Sequence, residues 1–114
     1  MRTLCKSCRE PFTASRDFLS QAGFRQPTRG DVTLYRAVGC ERCEEKGYRG
    51  RTCILELLIM TDPVRQAVLE HADAPTLRAV AVSNGMVGMY QDGLAKSLAG
   101  VTTVEEVVRV TQDR

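Results

Sequence analysis

Polar and apolar positions alternate through the first half of this chain and recur at helical spacing in the second, and that change of period sets the expected architecture. Residues 13–24 (TASRDFLSQAGF) predict a short helix, with Ser15 as N-cap, Phe18, Leu19 and Ala22 as its apolar positions and Gly23 as its stop. A polar turn at residues 26–31 leads into residues 32–38 (VTLYRAV), which alternate as a half-buried strand does. Gly47 and Gly50 predict a tight turn, and the apolar, partly β-branched run 52–60 predicts a second strand pairing with the first. From residue 61 the pattern is helical. Asp62 as N-cap with Pro63 at the first helical position opens one helix, Asp73-Ala74-Pro75 a second, and residues 86–98 form a third with Gly93 inside it. Overlapping capping boxes, Thr102 with Glu105 and Thr103 with Glu106, open the fourth. The expected fold class is α+β, mainly helical. Residues 1–60 would form a small lobe with a short β-hairpin, and residues 61–114 a four-helix bundle.

With 114 residues, 43% of them hydrophobic, the chain suits one modest core with a small lobe attached. Aromatics are 5% and Trp is absent, so aliphatic side chains must fill that core. No run approaches the ~20 apolar residues that cross a bilayer, and the start lacks an apolar signal region. A soluble, cytoplasmic protein is the expectation.

The cysteines change the picture most. Cys5-Lys-Ser-Cys8 and Cys40-Glu-Arg-Cys43 offer four thiolates two by two, as a tetrahedral Zn²⁺ takes them. The 31 residues between the pairs exceed a compact finger, but loop closure costs only about 0.6 kcal/mol per doubling of length, so an insert with its own structure is tolerable. One structural zinc on Cys5, Cys8, Cys40 and Cys43 is the favoured reading. Two disulfides would need an oxidising compartment, a thioredoxin-like device needs a single pair at a helix start, and an iron–sulfur cluster stays open.

No catalytic constellation accompanies the cysteines. His71, the single histidine, reads as solvated or capping, and Asp62, Asp73, Glu105 and Glu106 read as helix-start acids. Gly93-Leu94-Ala95-Lys96-Ser97 lacks the full phosphate-loop pattern, so Lys96 belongs on a helix face. Lys6, Arg9, Arg36, Arg42, Lys46, Arg49 and Arg51 make the cysteine lobe basic. Nucleic acid is a rival partner, yet the net charge is only +2 and Glu41, Glu44 and Glu45 interleave with the cations. A zinc tetrathiolate carries −2, which nearby cations would offset while donating to the sulfurs.

Taken together, the run from Leu4 through Cys5 and Cys8 to Phe12, the segment from Tyr35 through Cys40 and Cys43 to Thr52, Glu56-Leu57-Leu58, Gly85-Met86, Asp92-Gly93-Leu94 and residues 100–107 (GVTTVEEV) resemble the C-terminal region of the type II secretion and type IV pilus assembly ATPases. The resemblance covers essentially the whole chain. It departs at Cys53, where the family usually has Gly, at Leu55, usually Tyr, and at Ser7, usually Pro; Cys53 is expected as a core residue and not a fifth ligand.

The resemblance implies zinc on Cys5, Cys8, Cys40 and Cys43, and a hexameric parent ATPase whose nucleotide-binding core precedes Cys5. ATP and Mg²⁺ would be bound only in that core, and Met1 would be a supplied initiator. Partners would be the core of the same polypeptide, neighbouring hexamer subunits and an inner-membrane platform protein, at the cytoplasmic side of the bacterial inner membrane. This chain alone would not be an enzyme. The competing expectation is a free-standing zinc-ribbon adaptor for nucleic acid or protein.

Overall fold

In the computed structural model, which describes residues 1–24 and 31–112, short strands flank the first cysteine pair on both sides. The elements run β1 (Arg2–Leu4), β2 (Glu10–Ala14), α1 (Arg16–Ala22), β3 (Val32–Arg36), a 3₁₀ turn (Glu41–Cys43), β4 (Tyr48–Arg51), α2 (Asp62–Leu69), α3 (Ala74–Ser83), α4 (Met89–Leu98) and α5 (Val104–Thr111). This is an α+β fold. No helix among the described residues is long and apolar enough to cross a membrane.

The chain divides into two compact units, Met1–Ile54 with Tyr90–Arg114, and Leu55–Met89. That division differs from the expected 1–60 and 61–114. Four helices do follow the cysteine lobe, but α2 and α3 lie in the second unit, whereas residues 90–98 of α4 and all of α5 belong with the strands. Periodicity identifies a helix without saying which surface it covers.

In the first unit β1 pairs antiparallel with β4, and β2 with β3 in the register Glu10↔Arg36 to Ala14↔Val32. The expected pairing of residues 32–38 with 52–60 is therefore corrected. β3 ends at Arg36 and takes β2 as its partner, Tyr48–Arg51 is a strand and not a turn, and residues 52–60 form no strand. An apolar run has β propensity, but a strand exists only where another backbone offers a ladder. Leu55, Leu57, Leu58, Ile59 and Met60 are all exposed. The expected turn at 26–31 lies outside the described residues except for Asp31.

Local signals place α1 well. The Ser15 hydroxyl accepts the Phe18 N–H at 3.1 Å, and Gly23 closes the helix in the left-handed conformation, its N–H donating to Leu19 and Ser20 carbonyls. Phe12, Phe18, Leu19 and Ala22 then pack on a core of Ala14, Val32, Leu34, Leu94 and Val104. Gly93 permits the contact between α4 and α5, because a Cβ there would stand 2.5 Å from Val107 Cγ1.

Of the two capping boxes, Thr103 wins. Its hydroxyl accepts the Glu106 N–H at 3.1 Å, while the Thr102 hydroxyl donates to the Arg2 carbonyl at 2.9 Å. Glu106 does not turn back on the cap. Its buried carboxylate accepts from the Arg2 backbone N–H at 2.7 Å and from the Arg2 and Arg109 guanidiniums at 2.8 Å, tying α5 to β1. These donors, Arg109 foremost and against the cost of burial, hold the carboxyl well below the usual carboxylate range.

In the second unit the N-cap of α2 is Thr61, not Asp62, and Asp73 caps α3 by accepting the Thr76 N–H at 2.9 Å. Pro63 consequently sits one place further into the helix than expected. Glu56 pairs with Arg78 at 3.2 Å. His71 is exposed beyond the end of α2, in the left-handed region at φ 56°.

Candidate metal centre

Each cysteine pair folds into a tight turn that points both sulfurs the same way. In the first turn the Arg9 N–H donates to the Cys5 carbonyl at 3.0 Å; in the second the Cys43 and Glu45 N–H groups donate to the Cys40 carbonyl at 3.2 and 2.8 Å. The Cys5 N–H donates to the Gly47 carbonyl at 3.0 Å, and β1 pairs with β4, so the two turns are held face to face. Gly47 makes this possible. Its φ is 82°, and a Cβ there would stand 2.7 Å from Ala37 Cβ, so L side chains are excluded by both conformation and space.

The four sulfurs consequently converge from opposite ends of a 31-residue insert. All lie within 4.8 Å of one another, with Cys5–Cys40 at 3.7 Å, Cys8–Cys43 at 3.8 Å and Cys40–Cys43 at 3.7 Å. A tetrahedral ion with sulfurs about 2.3 Å away needs S···S edges of about 3.8 Å, so the cluster could hold a metal ion with little adjustment. Cys5 and Cys43 are buried and Cys8 and Cys40 half-buried, which limits access of water.

Backbone donors aim at this cluster. Gly39 N–H donates to Cys8 Sγ at 3.4 Å, Cys40 N–H to Cys43 Sγ at 3.2 Å and Gly47 N–H to Cys43 Sγ at 3.1 Å. Burial pushes the Cys43 thiol up, but the Cys40 and Gly47 N–H groups outweigh it and bring it down to about 6. The Cys5 thiol is also lowered, the Ser7 N–H and neighbouring thiols outweighing burial. Cys8 goes the other way: burial and its three cysteine neighbours push it up to about 12, against the Gly39 N–H. Four thiolates this close repel one another, and a divalent cation at their centre is what lets all four ionise together.

The expectation that lysines and arginines donate to the sulfurs is not met among the described residues. Arg9 donates to the Gly100 carbonyl at 2.5 Å and lies over the Tyr35 ring, Arg36 lies over Phe12, and Lys46 pairs with Glu44 at 3.6 Å. Gly47 was legible as a turn former; its role and that of Gly39 as sulfur donors were not. Cys53 lies outside the cluster, and it is exposed instead of filling the core. Lys96 sits on α4, where it pairs with Asp92 at 2.7 Å.

Comparison with known proteins gives this arrangement its setting. Residues 1–109 match the model of the family described as Type II/IV secretion system protein. The chain is 46% identical over 113 residues to the type II secretion system protein E of Dickeya dadantii, covering 99% of this chain and 22% of that protein. It is 38% identical over 117 residues to the type II secretion system ATPase E of Vibrio cholerae, at 99% and 22% coverage. It is 35% identical over 111 residues to the type IV pilus assembly ATPase PilB of Thermus thermophilus, covering 97% of this chain and 12% of that protein. The chain thus spans about a fifth or less of the length of these relatives. With a family match running through both cysteine pairs and into the last helix, the chain belongs to the Type II/IV secretion system protein family.

Proposed function

We propose that this chain is the zinc-stabilised C-terminal domain of a hexameric secretion or pilus-assembly ATPase, and that it serves as a structural and interaction module without hydrolysing ATP by itself. The observation that carries this reading is the convergence of Cys5, Cys8, Cys40 and Cys43 at zinc-like spacing in a chain whose relatives are secretion and pilus ATPases. Zinc fits the donor set: four soft thiolates, tetrahedrally placed, with no position left for substrate. Bound there, it would supply a cross-link and two positive charges, not a reactive centre. The chain's own part is to bring the two cysteine turns together through β1 and β4 and to direct N–H groups at the sulfurs.

ATP and Mg²⁺ would bind in the remainder of the parent, and neighbouring subunits and an inner-membrane platform protein would be its partners at the cytoplasmic membrane face. Two measurements test this. Elemental analysis should find about one zinc per chain, with four thiols released by chelation. Joining the domain to its nucleotide-binding core should change the rate of ATP hydrolysis. Metal-free protein with paired disulfides, or a core whose rate ignores the domain, would overturn the proposal.

A further inference from the structure

An open cleft of about 790 Å³ lies beside the first cysteine pair, within the unit formed by Met1–Ile54 and Tyr90–Arg114. Among the described residues four cations line it, Lys6, Arg9, Arg42 and Arg49, and no carboxylate does. Lys6 belongs to the first cysteine turn, Arg42 to the second and Arg49 to β4, so the elements that would hold the metal also set these charges around one space. Among the described residues none of the four forms an ion pair. Arg9 is fixed in place by the Gly100 carbonyl and the Tyr35 ring, while Lys6, Arg42 and Arg49 are exposed.

Like charges gathered without counter-charge repel one another and raise the local concentration of anions. They donate to none of the ligand sulfurs, so the metal site does not account for them. The neighbouring acids then select among anionic partners. Glu41, Glu44 and Glu45 are exposed on the turn that carries Arg42. Exposed carboxylates on the turn that carries Arg42 weigh against a flat anionic surface, whereas a narrow chain entering the cleft meets four cations among uncharged residues. The volume is also that of a ligand cleft.

We infer that this cleft docks an acidic peptide segment of a partner protein. The inference deepens the interaction-module reading by naming the partner's chemistry, and rests on that reading for the domain's role as a docking module.

The test uses the whole chain and a short fluorescein-labelled oligoglutamate peptide, followed by fluorescence anisotropy at low and physiological salt. Wild-type protein should bind with an affinity that falls as salt rises, and the triple variant Lys6→Gln, Arg42→Gln, Arg49→Gln should bind about tenfold more weakly. A control with the same change of charge elsewhere, Arg16→Gln, Lys46→Gln, Arg65→Gln, should lose less than about twofold. Equal losses in both variants, or no wild-type binding at low salt, would overturn the assignment. So would vesicles of phosphatidylglycerol that bind the wild type, but not the triple variant, while the peptide binds neither. Peptide binding by this chain that disappears in the longer parent would assign the cleft to the parent's own residues and overturn the partner. Zinc content is measured in every sample. A triple variant that keeps its zinc and loses the peptide supports the cleft, whereas zinc-free protein that still binds the peptide defeats the zinc reading and leaves the cleft assignment standing.

Discussion

Replacing Glu106 by Gln removes the charge on which the junction of β1 and α5 depends, at almost unchanged volume. The carboxylate side chain is fully buried and accepts from the Arg2 backbone at 2.7 Å, from Arg2 Nε and Nη2 at 3.1 and 2.8 Å, and from Arg109 Nε and Nη2 at 2.8 Å each. A carboxamide keeps one acceptor oxygen and turns its NH₂ onto other donors, so about half of these contacts become donor against donor. Charge-assisted hydrogen bonds contribute about 1.5–3 kcal/mol net. The Arg2 and Arg109 side chains are 47% and 58% exposed, so water replaces part of what they lose. The expected cost is about 2–3 kcal/mol, below the 3–5 of a fully buried pair, or a fall in Tm of about 8–12 °C. Thermal and urea unfolding of wild type and Glu106→Gln at matched zinc content measure it, with exposed Glu105→Gln as control. The pH dependence adds a sign. The folded carboxyl titrates below its unfolded value of about 4.3, so its contribution is fully present above that value and is lost as pH falls toward the folded one. Metal release in acid affects both proteins and cancels in their difference. A gap below about 0.5 kcal/mol at neutral pH, or one that fails to narrow in acid, would refute the reasoning.

Three further outcomes are expected. Cys40→Ser should lose the metal and, with apparent structural-zinc energies of about 10–16 kcal/mol at stake, melt residues 5–43 while α2 and α3 keep more of their amide protection; hydrogen exchange showing equal loss in both regions would count against it. Gly93→Ala should cost about 1–3 kcal/mol by driving its Cβ into Val107, and Val107→Ala should recover part of that in the double variant; additive costs in urea unfolding would contradict the contact. Cys53 should be the thiol alkylated by iodoacetamide in the metal-loaded protein, since it is exposed and lies outside the cluster, and Cys53→Ser should keep full zinc content.

What could be read without coordinates was what local chemistry decides. Ser15, Gly23 and Asp73 marked helix ends because capping satisfies groups within a few residues of the cap. The cysteine spacing pointed to thiols that could hold a metal ion, because each pair is a self-contained turn. Misreadings occurred where a local signal needed a distant partner. Residues 52–60 had strand composition but found no ladder, and Cys53, expected inside, is exposed. Glu106 satisfied a capping pattern, yet its carboxylate serves Arg2, 104 residues away.

By itself, then, the sequence determined that two cysteine pairs, a capped helix between them and four later helices exist, together with the family to which their order belongs. Only the tertiary structure decided that β1 binds β4, that residues 90–98 of α4 and all of α5 belong to one compact unit with the strands, and that four cations without an ion pair among the described residues share one cleft. Caps and turns are settled by neighbours in the chain; pairing and burial depend on which distant surfaces fit, and a one-dimensional pattern carries no record of that competition.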